Sequence, residues 1–176
     1  MIDGFQECLH CQFSHPGLSK MYPTESYNVV NHENWSRHYS SPDSDDDGLF
    51  LYFFPNTCLN LYNGGMSSFR ACPGKEVGMC RMEFDYYNDN SAEEFEKYYQ
   101  FVREVADEDG VLCTRAQANL EKGVYFAGCL NPVKETGVSR KCYYFLYHCD
   151  HARRLTIIQT TRVRCSRWPR LSMRKT

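Results

Sequence analysis

The stretch 91-SAEEFEKYYQFVREVADEDG-110 decides how the rest of the chain is read. Ser91, with Glu94 three residues on, makes a capping box in which each side chain accepts from the other residue's unpaired backbone amide. Phe95, Tyr98, Tyr99, Val102, Val105 and Ala106 recur at helical spacing and form one apolar stripe. The pattern predicts an amphipathic helix over about 91–107 that lies on a larger apolar surface and stops at Gly110. Asp107, Glu108 and Asp109 sit at its C-terminal end, where each negative charge opposes the helix dipole by a few tenths of a kcal/mol, roughly. Local stability does not explain them. A solvated acidic end is the default reading and an acidic contact surface the alternative.

Outward from the helix, short apolar runs bounded by turn residues predict strands. Before it come 48-GLFLYFF-54, 58-CLNLYN-63, 66-MSSFRAC-72 and 79-MCRMEFDYY-87; after it come 123-GVYFAGCL-130, 141-KCYYFLYHC-149 and 153-RRLTIIQTTRVRC-165. The N-terminal segment to about Ser40 is expected to hold short strands or a short helix. Strands follow strands without intervening helices, so the fold class expected is α+β: an antiparallel, β-rich sheet packed by one main helix. The 176 residues suit a single domain, 1–176.

Ten cysteines are spread along the chain: Cys8, Cys11, Cys58, Cys72, Cys80, Cys113, Cys129, Cys142, Cys149 and Cys165. Their even number predicts up to five structural disulfides, hence an oxidising, extracellular compartment. Met1 to Gly4 show no signal peptide, so one is assumed removed, and no run approaches the roughly 18 apolar residues of a membrane span. Asn34-Trp35-Ser36 is a glycosylation sequon. Aromatic content is high at 15%, with 13 Tyr and 11 Phe. In size, cysteine count and aromatic richness the chain resembles the small secreted cysteine-rich effectors of fungal and other pathogens, or parasite immune modulators. The resemblance implies a virulence-type binding protein, not an enzyme, that contacts a host or receptor protein.

Charge is divided. After Asp150 there are eight basic residues and no acid, against 12 basic and 22 acidic residues before Ala152. Arg153, Arg154, Arg162, Arg164, Arg167, Trp168 and Arg170 make a candidate basic and aromatic binding surface. One Trp does not make a stacking platform, so nucleic acid is not the expected partner.

Asp43, Asp45 and Asp47 before Gly48 match the first half of a calcium loop, but Phe54 stands where the closing Glu belongs. An Asp-rich turn in front of a strand is the adopted reading, and a calcium-dependent domain the alternative. Cys8-Leu9-His10-Cys11 with His15 supplies half of a zinc set, and His148-Cys149-Asp150-His151 the rest, but the spacing fits no usual finger. No metal and no cofactor are expected. A hydrolase or ribonuclease using a His/acid pair is the second alternative, with His32, His38, His148 and His151 as its candidates.

Overall fold

The computed structural model describes residues 1–40, 48–62, 65–75, 79–87, 91–124, 128–149 and 162–163. Three short helices open the chain: α1 (Ile2–Phe5), α2 (Cys11–Ser14) and α3 (Pro16–Met21). A meander follows: β1 (Asn28–Asn31), β2 (Trp35–Tyr39), β3 (Leu49–Phe53), β4 (Thr57–Tyr62), β5 (Gly65–Pro73) and β6 (Met79–Tyr87). Each strand pairs antiparallel with the next, and a two-residue β7 (Arg162–Val163) pairs parallel with the start of β6. Two longer helices, α4 (Ala92–Glu121) and α5 (Thr136–Cys149), lie between β6 and β7 in sequence.

Alternation along the strands sends one set of side chains to a covered face. The register aligns them in rows. One row is Ser36, Tyr52, Cys58, Phe69 and Phe84; the next is His38, Phe50, Asn60, Ser67 and Tyr86. Ile2 joins Tyr52, Cys58 and Phe69 in the core, with Phe5 packed edge-on against Phe69 at 5.3 Å. Burying each large apolar side chain contributes roughly 1.5–3 kcal/mol. Toward β6, α4 takes over as the cover, and Tyr99 meets Tyr86 edge-on at 5.0 Å.

The same face carries a buried polar knot. His38 is fully buried; its Nδ1 bonds Tyr27 Oη at 2.9 Å, and its Nε2 lies 3.0 Å from both Ser36 Oγ and Gln6 Oε1. Ser36 Oγ donates to Gln6 Oε1 at 2.8 Å. Gln6, at the C-terminal end of α1, is thereby tied to the sheet. It is also where α5 crosses: a Cβ on Gly137 would lie 2.6 Å from the Gln6 carbonyl oxygen. Lys141 Nζ on the same helix pairs with Asp3 at 2.5 Å.

Several expectations are corrected here. The capping box forms at Ser91 and Glu94, but the helix runs through Gly110 for 30 residues in all. A glycine in a helix interior costs only about 1 kcal/mol relative to Ala, and 111-VLCTRAQANLE-121 continues the helix. The stop is Gly123, at φ +68°, where the amides of Gly123 and Val124 return to the carbonyls of Leu120 and Asn119. The run 141–149, read as a strand, lies in α5. The run carries no strict alternation in sequence, and the helix that contains it meets α1 through Gly137 and Lys141. A framework of five disulfides is not what holds the fold. Among the described residues Cys8–Cys11 is the one bridge; Cys58, Cys72, Cys113, Cys129 and Cys142 are free thiols. Cys58 sits in the core as a small apolar residue, with burial pushing its thiol well up. The side chain of Cys149 and all of Cys165 lie outside what the structure describes. No helix among the described residues is long and apolar enough to cross a membrane.

Candidate metal centre

The acidic residues that the dipole disfavours have partners. Glu108 and Asp109 face two histidines from the N-terminal segment: His10, which precedes α2, and His15, between α2 and α3. His15 is 1% exposed and is held at both nitrogens, Nδ1 to Glu108 Oε2 at 2.8 Å and Nε2 to Asp109 Oδ1 at 3.1 Å. His10 repeats the arrangement. Its Nδ1 bonds Glu7, and its Nε2 lies 3.5 Å from Asp109 Oδ1. Glu7 also accepts from the Leu9 amide, which fixes the carboxylate before it reaches the ring. The Cys8–Cys11 bridge closes the short loop that carries His10.

Electrostatics follow the geometry. Burial is the largest influence on each histidine and favours the neutral ring. For His10 the bonds to Asp109 and Glu7 overcome it and raise the pKa to about 9. His15 also moves up, through Asp109 and Glu108 against burial. Burial works to raise Asp109, but the two histidines win and hold it down at about 2.

The ligand atoms of His10, His15 and Asp109 all lie within 4.8 Å of one another, the one such cluster among the described residues. Metal–ligand bonds of about 2.1 Å place neighbouring octahedral ligands about 3.0 Å apart, close to the Nε2–Oδ1 separations here. Two imidazoles and one carboxylate on one side of an ion form the facial triad of non-haem iron sites, which leaves the opposite positions open. Each imidazole gives its other nitrogen to a carboxylate, the usual support for a ligating histidine.

The cluster stands at the edge of a cavity of about 100 Å³. Its walls are the α1–α3 segment, the covered face of the sheet and α4, and aromatic rings dominate: Tyr22, Tyr27, Phe50, Phe69, Phe84 and Tyr86. Val102, Val105 and Ala106 reach it from α4, one to two turns before Asp109. Helical spacing therefore serves two ends, an apolar wall and a ligand at its foot.

Other candidates fall elsewhere. Asp43, Asp45 and Asp47 lie outside the described residues, as do Arg153, Arg154, Arg164, Arg167, Trp168 and Arg170; of Arg162 only the backbone, in β7, is described. His38 belongs to the polar knot and His32 stacks on Trp35 at 3.8 Å, so neither forms a His/acid pair. The side chain of His148 and all of His151 are not described. Against the expectation of no metal site, His10, His15 and Asp109 form a cluster whose geometry suits a metal ion. Its signal was present, in Glu7, His10 and His15 within nine residues and in an acidic pair that the helix dipole opposes.

Residues 29–145, about two-thirds of the chain, match the family described as ring hydroxylating alpha subunit (catalytic domain). The match includes Asp109, while His10 and His15 precede it. No curated protein matches the chain by sequence. Among solved structures, the quaternary ammonium Rieske monooxygenase CntA in complex with an inhibitor is similar at TM-score 0.69 and 20% identity, covering 84% of this chain and 45% of that one. A second structure of a quaternary ammonium Rieske monooxygenase, described in terms of carnitine oxidation by gut microbiota and inter-subunit electron transfer, gives 0.69 and 20%, over 84% and 46%. CntA with L-carnitine gives 0.66 and 19%, over 84% and 44%. The chain thus spans less than half the length of these structures, and at such identity they show its fold. The family match overturns the expectation of an effector-like, non-enzymatic protein that binds a host receptor, and with it the hydrolase and calcium-domain alternatives. The chain belongs to the ring hydroxylating alpha subunit (catalytic domain) family.

Proposed function

We propose that the chain is the catalytic part of a non-haem iron oxygenase that hydroxylates a small, largely apolar organic molecule. The observation that carries this reading is the triad of His10, His15 and Asp109 at the edge of an aromatic cavity. The donor set fits iron(II), since imidazole and carboxylate suit that ion and a facial set leaves coordination positions free. Bound there, iron would supply oxygen activation by one-electron chemistry.

The chain's own residues do the remaining work. Glu7 and Glu108 fix both rings so that each presents Nε2. Asp109 holds its charge because the histidines face it. Tyr27, Phe50, Phe69 and Phe84 shape an apolar space and keep bulk water from the substrate. Reducing equivalents come from a partner subunit, by inter-subunit electron transfer of the kind described for the quaternary ammonium Rieske monooxygenase.

Titration of the full chain with anaerobic Fe(II), and with Co(II) as a redox-inert probe, tests the site. One equivalent should bind and raise the melting temperature. His10→Ala, His15→Ala and Asp109→Ala should each abolish the shift. A shift that survives all three substitutions, or no binding by the unmodified chain, refutes the proposal.

A further inference from the structure

Asn60 is an anomaly in the cavity wall. It stands in β4 between Phe50 of β3 and Ser67 of β5, in the row of side chains that lines the cavity. The residue is 8% exposed, and its Oδ1 is buried with no hydrogen-bond partner. Buried acceptors are almost always paired, because leaving one dry forfeits its hydration with nothing in return. Neighbouring polar groups are already engaged: Tyr27 Oη with His38, and Glu7 and Asp109 with the histidines. An apolar residue of the same size would fit among these rings without that cost. The carboxamide therefore has a use that the protein itself does not satisfy.

We infer that Asn60 selects the substrate: an aromatic molecule whose edge carries one hydrogen-bond donor, N–H or O–H, that bonds Asn60 Oδ1. The inference rests on the cavity being the substrate site of the oxygenase proposed above. Rings on the walls accept any flat apolar body of the right size and discriminate poorly among them. A single buried acceptor discriminates strongly, because a ligand that fills the cavity without donating to it leaves the acceptor unpaired, while one that donates satisfies it. The bond also fixes the rotation of the ring in its plane, which wall contacts leave free, and so sets which edge is presented to the triad.

Indole and indene are suitable probes, since they match in shape and only indole donates from its five-membered ring. Their binding to the full chain is measured by titration calorimetry, with and without one equivalent of Co(II). The unmodified chain should bind indole about tenfold more tightly than indene. Asn60→Leu should lose that preference through weaker indole binding, with indene affinity kept. Its melting temperature should equal or exceed that of the unmodified chain, and Asn60→Ala serves as the second variant should Leu disturb packing. Equal affinity for the two probes in the unmodified chain, a preference that survives Asn60 replacement, or binding of neither probe overturns the inference. Failure to bind Co(II) sinks the oxygenase reading instead, and the metal-free arm then still decides the role of Asn60.

Discussion

At the residue scale, the site depends on carboxylates that touch no open coordination position. Glu108 bonds the rear nitrogen of His15, and so sets which nitrogen faces Asp109. Glu108→Gln keeps the size and an acceptor but loses the charge. It should weaken Co(II) affinity by about 10–100-fold while leaving the fold intact, as outer partners of ligating histidines generally do. Calorimetric titration of the variant checks this, and unchanged affinity would reduce Glu108 to a surface acid. These residues also show what a local reading loses. Asp109 looks anomalous on its helix because its compensation comes from residues 94 and 99 positions earlier in the chain. His10 and His15 look like part of a zinc set because cysteines flank them. The group that completes the cluster is a carboxylate no pattern near them contains.

At the element scale, the contact between α1 and α5 is set by the absence of a side chain. Gly137 lies so near Gln6 that a Cβ would meet its carbonyl oxygen at 2.6 Å and its Oε1 at 3.0 Å. Gln6 cannot retreat without releasing Ser36 and His38. Gly137→Ala should therefore destabilise the chain by about 1–3 kcal/mol, the usual range for overpacking, although alanine is the better helix former. A thermal melt decides the sign; a higher melting temperature would show that the α1–α5 contact yields easily. The elements themselves are unevenly legible. Ser91 and Glu94 announce where α4 begins because a cap is a local bond. Where it ends is not legible in the same way, since Gly110 and Gly123 differ only in backbone conformation, which the surrounding chain decides. The residues of α5 mislead for the same cause, as a mixed aromatic run packs equally well in either regular structure.

At the scale of the whole molecule, histidines in opposite environments shape stability against pH. His38 is buried without a charged partner, and burial lowers its pKa from 6.5 to about 3. Below pH 6.5 the unfolded chain takes up a proton that folded His38 refuses, so stability falls as pH falls. His10 is the reverse case, raised to about 9. Its contribution is complete below pH 6.5 and is lost as pH rises through 9. The metal-free chain should thus be most stable near pH 6.5, with urea midpoints that decline on both sides. A midpoint that rises steadily from pH 6.5 to 9 would contradict the His10 assignment.

By itself the sequence determined the local features of this protein: the helix cap, the alternating strands of the meander, and the acidic end out of keeping with its dipole. These follow from bonds and periodicities within a few residues. Tertiary structure alone decided the rest. It brought His10 and His15 to Asp109, made Cys58 a core residue instead of half a bridge, and left Asn60 facing an aromatic space. The physical reason is sequence distance. The candidate metal centre and the cavity are formed by groups tens of residues apart, and only the packing of α1–α3, the sheet and α4 on one another brings them within bonding range.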